Sequence, residues 1–220
     1  MAVESAPGAA LSLTERAYRQ LEELIVTLAL PPKTVLSEQL LSKRLRIGRT
    51  PVREALQQLA RDGLVDILPR RGVLVSDINL RTQLRLLELR REVERLMARL
   101  AAERATPPEA AAFRRLAADM RQAAEAADDM AFMRLDRELN ALISQAARNE
   151  FATRTMGLMH GLSRRFWYQH YRETADLPLA ATLHAALADA IGLGRGDAAA
   201  QASDALISYI ESFARKTIDT

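Results

Sequence analysis

One segment limits the folds open to this chain more than any other. "LVDILPRRGVLVSDI", starting at Leu64, holds two β-prone stretches, Leu64–Leu68 and Val73–Asp77, separated by Pro69, Arg70, Arg71 and Gly72. Apolar, β-branched runs on either side of a proline- and glycine-bearing turn read as a small hairpin. No other convincing β structure is expected, so the chain is read as mainly α.

Three helices precede the hairpin. Ser12 to Leu30 carries Leu13, Ala17, Leu21, Leu24, Ile25 and Leu28 at helical spacing, and "PPKT" stops the run. A short helix is expected from Ser37 to Leu45, with Ser37 as N-cap. "RIGRTP" is a turn. A third helix is expected from about Thr50 to Asp62, with Thr50 as N-cap, Pro51 at its first position and "DG" at its end. After Leu80 the pattern is helical throughout and rich in alanine and leucine. Six helices are expected, near 80–104, 108–127, 129–147, 150–173, 178–192 and 197–216. Their short connections imply an antiparallel bundle. The domain plan is therefore a loose tail at 1–10, a three-helix-plus-hairpin domain at 11–78, and an all-α domain at 79–220. Three helices followed by a hairpin is the order of a winged helix-turn-helix.

Charge is placed unevenly. From Lys33 to Arg71 there are nine basic residues and four acidic ones, a balance of +5 in a chain whose total is +3. A local basic surface is the electrostatic footprint of phosphate binding. Readout of base edges needs a helix in the major groove with donors near its N-terminal end. Arg49 and Thr50 stand at the mouth of the third helix, Arg53 lies a turn later, and Arg46 adds to the basic turn before it. Free N–H groups at that helix start also favour a phosphate. Arg70 and Arg71 beside Gly72 would form a basic wing tip. Double-stranded DNA is the expected partner; a solvated basic face is the bland alternative.

Other classes are narrowed by composition. With no cysteine, disulfides, thiolate metal sites and cysteine nucleophiles are excluded. No apolar run approaches the roughly 20 residues that cross a bilayer. The start, "MAVESAPGAA", lacks a basic region followed by an apolar one. No membrane association and a cytoplasmic location are expected.

The stretch "LSEQLLSKRLRIGRTPVREALQQLARDGLVDILPRRGVLV" resembles the N-terminal domain of GntR-family transcription regulators, through "RTPVREAL", "DGLV" and "PRRG" together. The resemblance implies DNA contacts from Arg49, Thr50 and Arg53, help from the wing near Gly72, and positions near the DNA backbone for Glu38 and Gln39. The chain departs from the pattern with "PPK" for proline-glycine and "RIGR" for "GVSR". Gly48 thus removes a serine hydroxyl that could touch phosphate.

Residues 86–102, "LLELRREVERLMARLAA", resemble the first helix of the FCD-type effector domain, and six C-terminal helices resemble its shorter VanR-like branch. Many FCD domains hold a divalent metal, such as zinc or nickel, through one aspartate and three histidines. Asp136 falls at the aspartate, Asn140 at the first histidine, His184 at the second, and Tyr209 at the third, with Ser208 pointing off the stripe. Two of the four usual ligands are replaced. Two readings stay open: a metal held by Asp136 and His184 with help from Asn140, or a metal-free pocket. His160 and His170, ten residues apart on one helix, cannot both reach one metal. Arg90 matches the family's "ELR" arginine, which often faces the effector cavity, and Arg165 is a second candidate. Each has a salt bridge as its structural alternative, as His184 has a satisfied core histidine. A buried arginine is costly unless paired, so a carboxylate-bearing effector, an organic or sugar acid, would suit Arg90.

The resulting expectation is a homodimeric, ligand-responsive regulator on a pseudo-palindromic operator, a repressor of a metabolic operon, and not an enzyme. The rivals are a helical metal-dependent enzyme, with Asp136 and His184 as its only clustered acid–base pair, and a winged-helix module that binds protein.

Overall fold

The computed structural model describes residues 11–68, 72–174 and 176–217. The chain divides into two compact units, Met1–Ile78 and Asn79–Thr220. The tail at 1–10 lies outside the described residues.

In the first unit α1 spans Leu13–Val26, α2 Glu38–Leu45 and α3 Arg49–Arg61. Ser12 caps α1 by accepting from the Glu15 amide, and Ser37 caps α2 by accepting from the Leu40 amide. Helix α1 ends earlier than the apolar pattern suggested. Leu28 turns to φ 60°, and the Leu30 amide donates to the Leu24 carbonyl, so the chain reverses before Pro31. Ala17, Leu21 and Ile25 of α1 are buried, as are Val52, Ala55, Leu56 and Leu59 of α3, and the two helices pack together. Tyr18 donates to the Asp62 carboxylate (2.7 Å) and Thr14 to Glu54 (2.6 Å), pinning α1 along α3.

The sheet is larger than the expected hairpin by one short strand. β1 (Val35–Leu36), β2 (Val65–Leu68) and β3 (Gly72–Val75) form an antiparallel sheet in the order β1-β3-β2. Two residues are too few to show alternation in a sequence, so β1 was not legible. Its Leu36 is buried while Val35 faces outward.

The second unit is helical: α4 Leu80–Arg104, α5 Pro107–Glu125, α6 Asp129–Ala147, α7 Glu150–Thr174, α8 Leu177–Gly192 and α9 Gly196–Lys216. Asn79, Asp128 and Asp176 cap α4, α6 and α8, and Thr106 with Glu109 forms a reciprocal capping box on α5. The α4–α9 and α5–α8 pairs run antiparallel. Arg91 reaches Glu211 while Arg95 reaches Asp204, so α4 and α9 descend past each other. Arg114 donates to the Gly192 carbonyl at the far end of α8, while Arg121 pairs with Asp189 one turn nearer its start. A Cβ on Gly192 would lie 3.0 Å from the Ala110 carbonyl, so this crossing requires glycine. The apolar core runs through Met97, Phe113, Met120, Leu139, Met156 and Ile191.

Candidate nucleic-acid interface and effector cavity

Helix α3 begins at Arg49, and its N-cap is Gly48, not Thr50. Glycine has no side chain to fold over the first turn, and no side-chain cap bond forms there. The amides at the start of α3 are thus left for an outside acceptor. Arg49, Thr50 and Arg53 are exposed at this end, while the other face of α3 fills the core.

Arg53 is held before any duplex is present. Its Nε donates to Oε1 of Glu38 at 3.0 Å and its Nη2 to Oε2 at 2.9 Å. That fork holds the Glu38 carboxyl below its usual range, with the Arg53 and Arg49 charges adding to the effect against a small opposing push from burial. The remaining guanidinium edge, Nη1 with the outer Nη2 proton, is still a bidentate donor. Gln39 and Arg46 are exposed on α2 and at its C-terminal cap. Gly72 opens β3 with φ 99°, and a Cβ there would crowd the Leu36 carbonyl oxygen at 3.4 Å. Arg70 and Arg71 lie outside the described residues.

The helical unit encloses a cavity of about 30 Å³, bounded by side chains from five helices. Arg90 and Glu94 come from α4, Asp136 and Asn140 from α6, His160 from α7, His184 from α8 and Ser203 from α9. Met97, Leu139, Met156, Leu187 and Leu206 supply apolar wall. Asp136 and His184 meet across it, Oδ1 to Nε2 3.2 Å. The His184 Nδ1 lies 2.7 Å from the Ala180 carbonyl and donates to it. The Asn140 amide nitrogen donates to both Oδ1 and the backbone carbonyl of Asp136, each at 2.9 Å. Burial disfavours both charges of the Asp136–His184 pair, yet their hydrogen bond and mutual attraction prevail. The Asp136 carboxyl is lowered and the His184 imidazole raised from its usual range. His160 goes the other way: burial first, then the Arg90 charge, pushes it below the usual histidine range. Arg90 donates through Nε to Glu94 (2.6 Å) and through Nη1 to Ser163 (2.9 Å).

Arg90, Asp136, Asn140 and His184 are thus brought together around one cavity. Tyr209 and Arg165 are not. Tyr209 lies six residues from Ser203, about 120° around the helix, and its hydroxyl donates to the Asp176 carbonyl at 2.9 Å. Ser208 is also outside, bonded by Arg91. The last helix therefore offers Ser203 and Leu206 to the cavity, not a tyrosine. Arg165 lies five residues past His160, about 140° around α7, and is buried away from the cavity lining. Glu94, Ser144, His160 and Ser203 are polar lining residues outside the sequence expectation. Glu94 carried a signal, since it stands four residues after Arg90. Sequence spacing tests His160 only against His170, which packs on Phe166 instead. Ser203 carried none.

The donor set does not fit the family's metal. Asp136 and His184 satisfy each other, Asn140 turns its amide nitrogen to Asp136, and α9 presents serine and leucine. Among the described residues no three histidine, aspartate or glutamate side chains cluster so as to hold a metal ion.

Comparison with known proteins decides the family. Residues 13–75 match the model for bacterial regulatory proteins of the gntR family, and residues 85–209 match the FCD domain. The chain belongs to the GntR family, with an FCD domain. It is a transcription regulator with a DNA-binding winged helix-turn-helix and an effector-binding domain. It is 27% identical over 216 residues to the HTH-type transcriptional repressor RspR of Escherichia coli K12, covering 98% of this chain and 95% of that one. It is 30% identical over 126 residues, 57% of this chain and 59% of that one, to the Nta operon transcriptional regulator of Aminobacter aminovorans. Its fold matches E. coli McbR/YncC with TM-score 0.80 at 20% identity, over 95% of this chain and 100% of that one. It also matches a GntR regulator from Rhodococcus sp. RHA1 with TM-score 0.64 at 24% identity, over 96% and 99%. No helix among the described residues is long and apolar enough to cross a membrane.

Proposed function

We propose that this GntR-family chain is a cytoplasmic, homodimeric repressor of a metabolic operon, released from its operator by a small molecule bound in the helical unit. Two copies of α3 would enter successive major grooves of a pseudo-palindromic site, because two-fold protein symmetry is matched by operator symmetry. Arg49, Thr50 and Arg53 would read bases there, and the wing residues Arg70, Arg71 and Gly72, with Arg46 and Gln39, would meet the backbone. A ligand acts only through a difference in affinity between the DNA-competent and incompetent forms.

The observation that carries the effector part is the cavity itself. Charged and polar side chains from five helices converge inside an otherwise apolar core. Such a network is costly for a fold to keep unless it is satisfied or used. The reading is metal-free, since Asp136 and His184 close on each other. It is also non-catalytic, since that pair points no free acid or base at a substrate.

Metal analysis and mass spectrometry of molecules released on denaturing the purified protein, with light scattering of its complex with operator, test this reading. The expected result is no stoichiometric metal and two chains per duplex. Stoichiometric zinc or nickel would overturn the metal-free site, and one chain per duplex would overturn the dimer.

A further inference from the structure

The cavity's own charges are already balanced. Its two cations, Arg90 and His184, each face an internal carboxylate, Glu94 at 2.6 Å and Asp136 at 3.2 Å. Arg90 also donates through one Nη1 proton to Ser163, and the His184 Nδ1 donates to the Ala180 carbonyl. A ligand carboxylate entering here would find both cations matched and would face Asp136 and Glu94 as like charges. Burying a charge without a counter-charge is strongly unfavourable. A ligand ammonium meets the same obstacle with signs reversed.

Two other lining groups are differently placed. The Ser203 hydroxyl is buried, its residue 1% exposed, and it has no hydrogen-bond partner. Leaving such a group unsatisfied is unfavourable, and a ligand atom in the cavity would satisfy it. No hydrogen bond reaches the His160 ring from the described residues, and that ring stays neutral at pH 7 because burial and Arg90 depress its protonation. A serine hydroxyl and a neutral imidazole each both donate and accept. The volume of about 30 Å³ admits a group of one or two waters' size, since a water needs roughly 10–15 Å³ on this measure.

We propose that the cavity takes a small uncharged ligand group, a hydroxyl, carbonyl or amide, held by the Ser203 hydroxyl and the His160 imidazole, and that Glu94 excludes free acids by occupying Arg90. This rests on reading the cavity as the effector site, and it replaces the organic or sugar acid that family resemblance suggested. Glu94 is then the specificity residue: an internal carboxylate seated where an acid ligand would need to bind.

Acetamide and acetate have nearly the same shape and differ in charge. Isothermal titration of the full-length chain at neutral pH, as wild type, Ser203→Ala and Glu94→Gln, tests the assignment. Wild type is expected to bind acetamide at least tenfold more tightly than acetate. Ser203→Ala should lose most of the acetamide affinity. Glu94→Gln should gain acetate binding tenfold or more, because Arg90 is unmasked. Equal binding of both probes by wild type would overturn the ligand class while leaving the cavity as a binding site. Unchanged acetamide affinity in Ser203→Ala would overturn the serine's role. No binding of either probe by wild type, together with no acetate binding by Glu94→Gln, would overturn both this assignment and the effector-site reading.

Discussion

Arg53 and Glu38 are joined in the free protein, and the joint has consequences for base readout. With Nε and Nη2 anchored to Glu38, the guanidinium is presented end-on, and a fixed fork loses less entropy on contacting guanine. Glu38→Gln should weaken discrimination between operator and scrambled duplex by roughly tenfold. Affinity for scrambled DNA should hold or rise, because a negative charge near the phosphates is gone. Anisotropy titrations on both duplexes check this, and an unchanged ratio would reduce the contact to a structural one. The cavity makes a second residue-level claim. The protein has three histidines. Ring-proton NMR should show His184 titrating above the ordinary range and His160 below it. In Asp136→Asn the His184 titration should fall back toward or below that range. The signs follow. His184's contribution to stability is complete below the ordinary histidine pKa and is lost as pH rises through its raised value. That of Asp136 is complete above the ordinary carboxylate pKa and is lost as pH falls through its lowered value. The pair is therefore strongest between those limits.

Helix ends carry much of the remaining electrostatics. At the start of α5, Glu109 accepts from the Thr106 amide (2.8 Å) and from Arg148 at the end of α6 (2.8 Å). The Arg148 bonds, then that of the Thr106 backbone, hold its carboxyl down to about 2 against a minor push from burial. Glu109→Gln should cost about 1.5–3 kcal/mol at pH 7. The difference from wild type should be full above pH 4.5, the ordinary value, and should vanish as pH falls through about 2. Urea denaturation at pH 7 and in the acid limb measures it. An equal difference at both would assign the loss to packing. Helices were the most legible elements, because their apolar spacing and the cap at Ser37 are local signals. What was not legible was non-local. Gly48 replaces Thr50 as cap because the chain enters α3 two residues earlier. β1 exists only through its pairing with β3. The inward face of α9 is set by α4 and α8, so Tyr209 looked internal along its own stripe and Ser203 did not. Asp136, Asn140, His184 and Arg90 were reachable because helical spacing and family resemblance agreed on them. His160 was missed because its cavity neighbours come from other helices.

The whole chain divides its chemistry between its two units. The basic excess sits between Lys33 and Arg71, while the remainder carries a slight negative balance. The buried polar network lies in the helical unit. One unit is thus suited to a polyanion and the other to a small polar molecule, which is the division a ligand-controlled DNA reader needs. The most direct measurement is enrichment of duplexes from a random-sequence pool by the full-length protein, with Arg49→Ala and Arg53→Ala in parallel. The expected result is a pseudo-palindrome with half-sites about one helical turn apart for wild type. Neither folded variant should enrich it. No enriched sequence for wild type, or the same sequence enriched equally by both variants, would contradict the account.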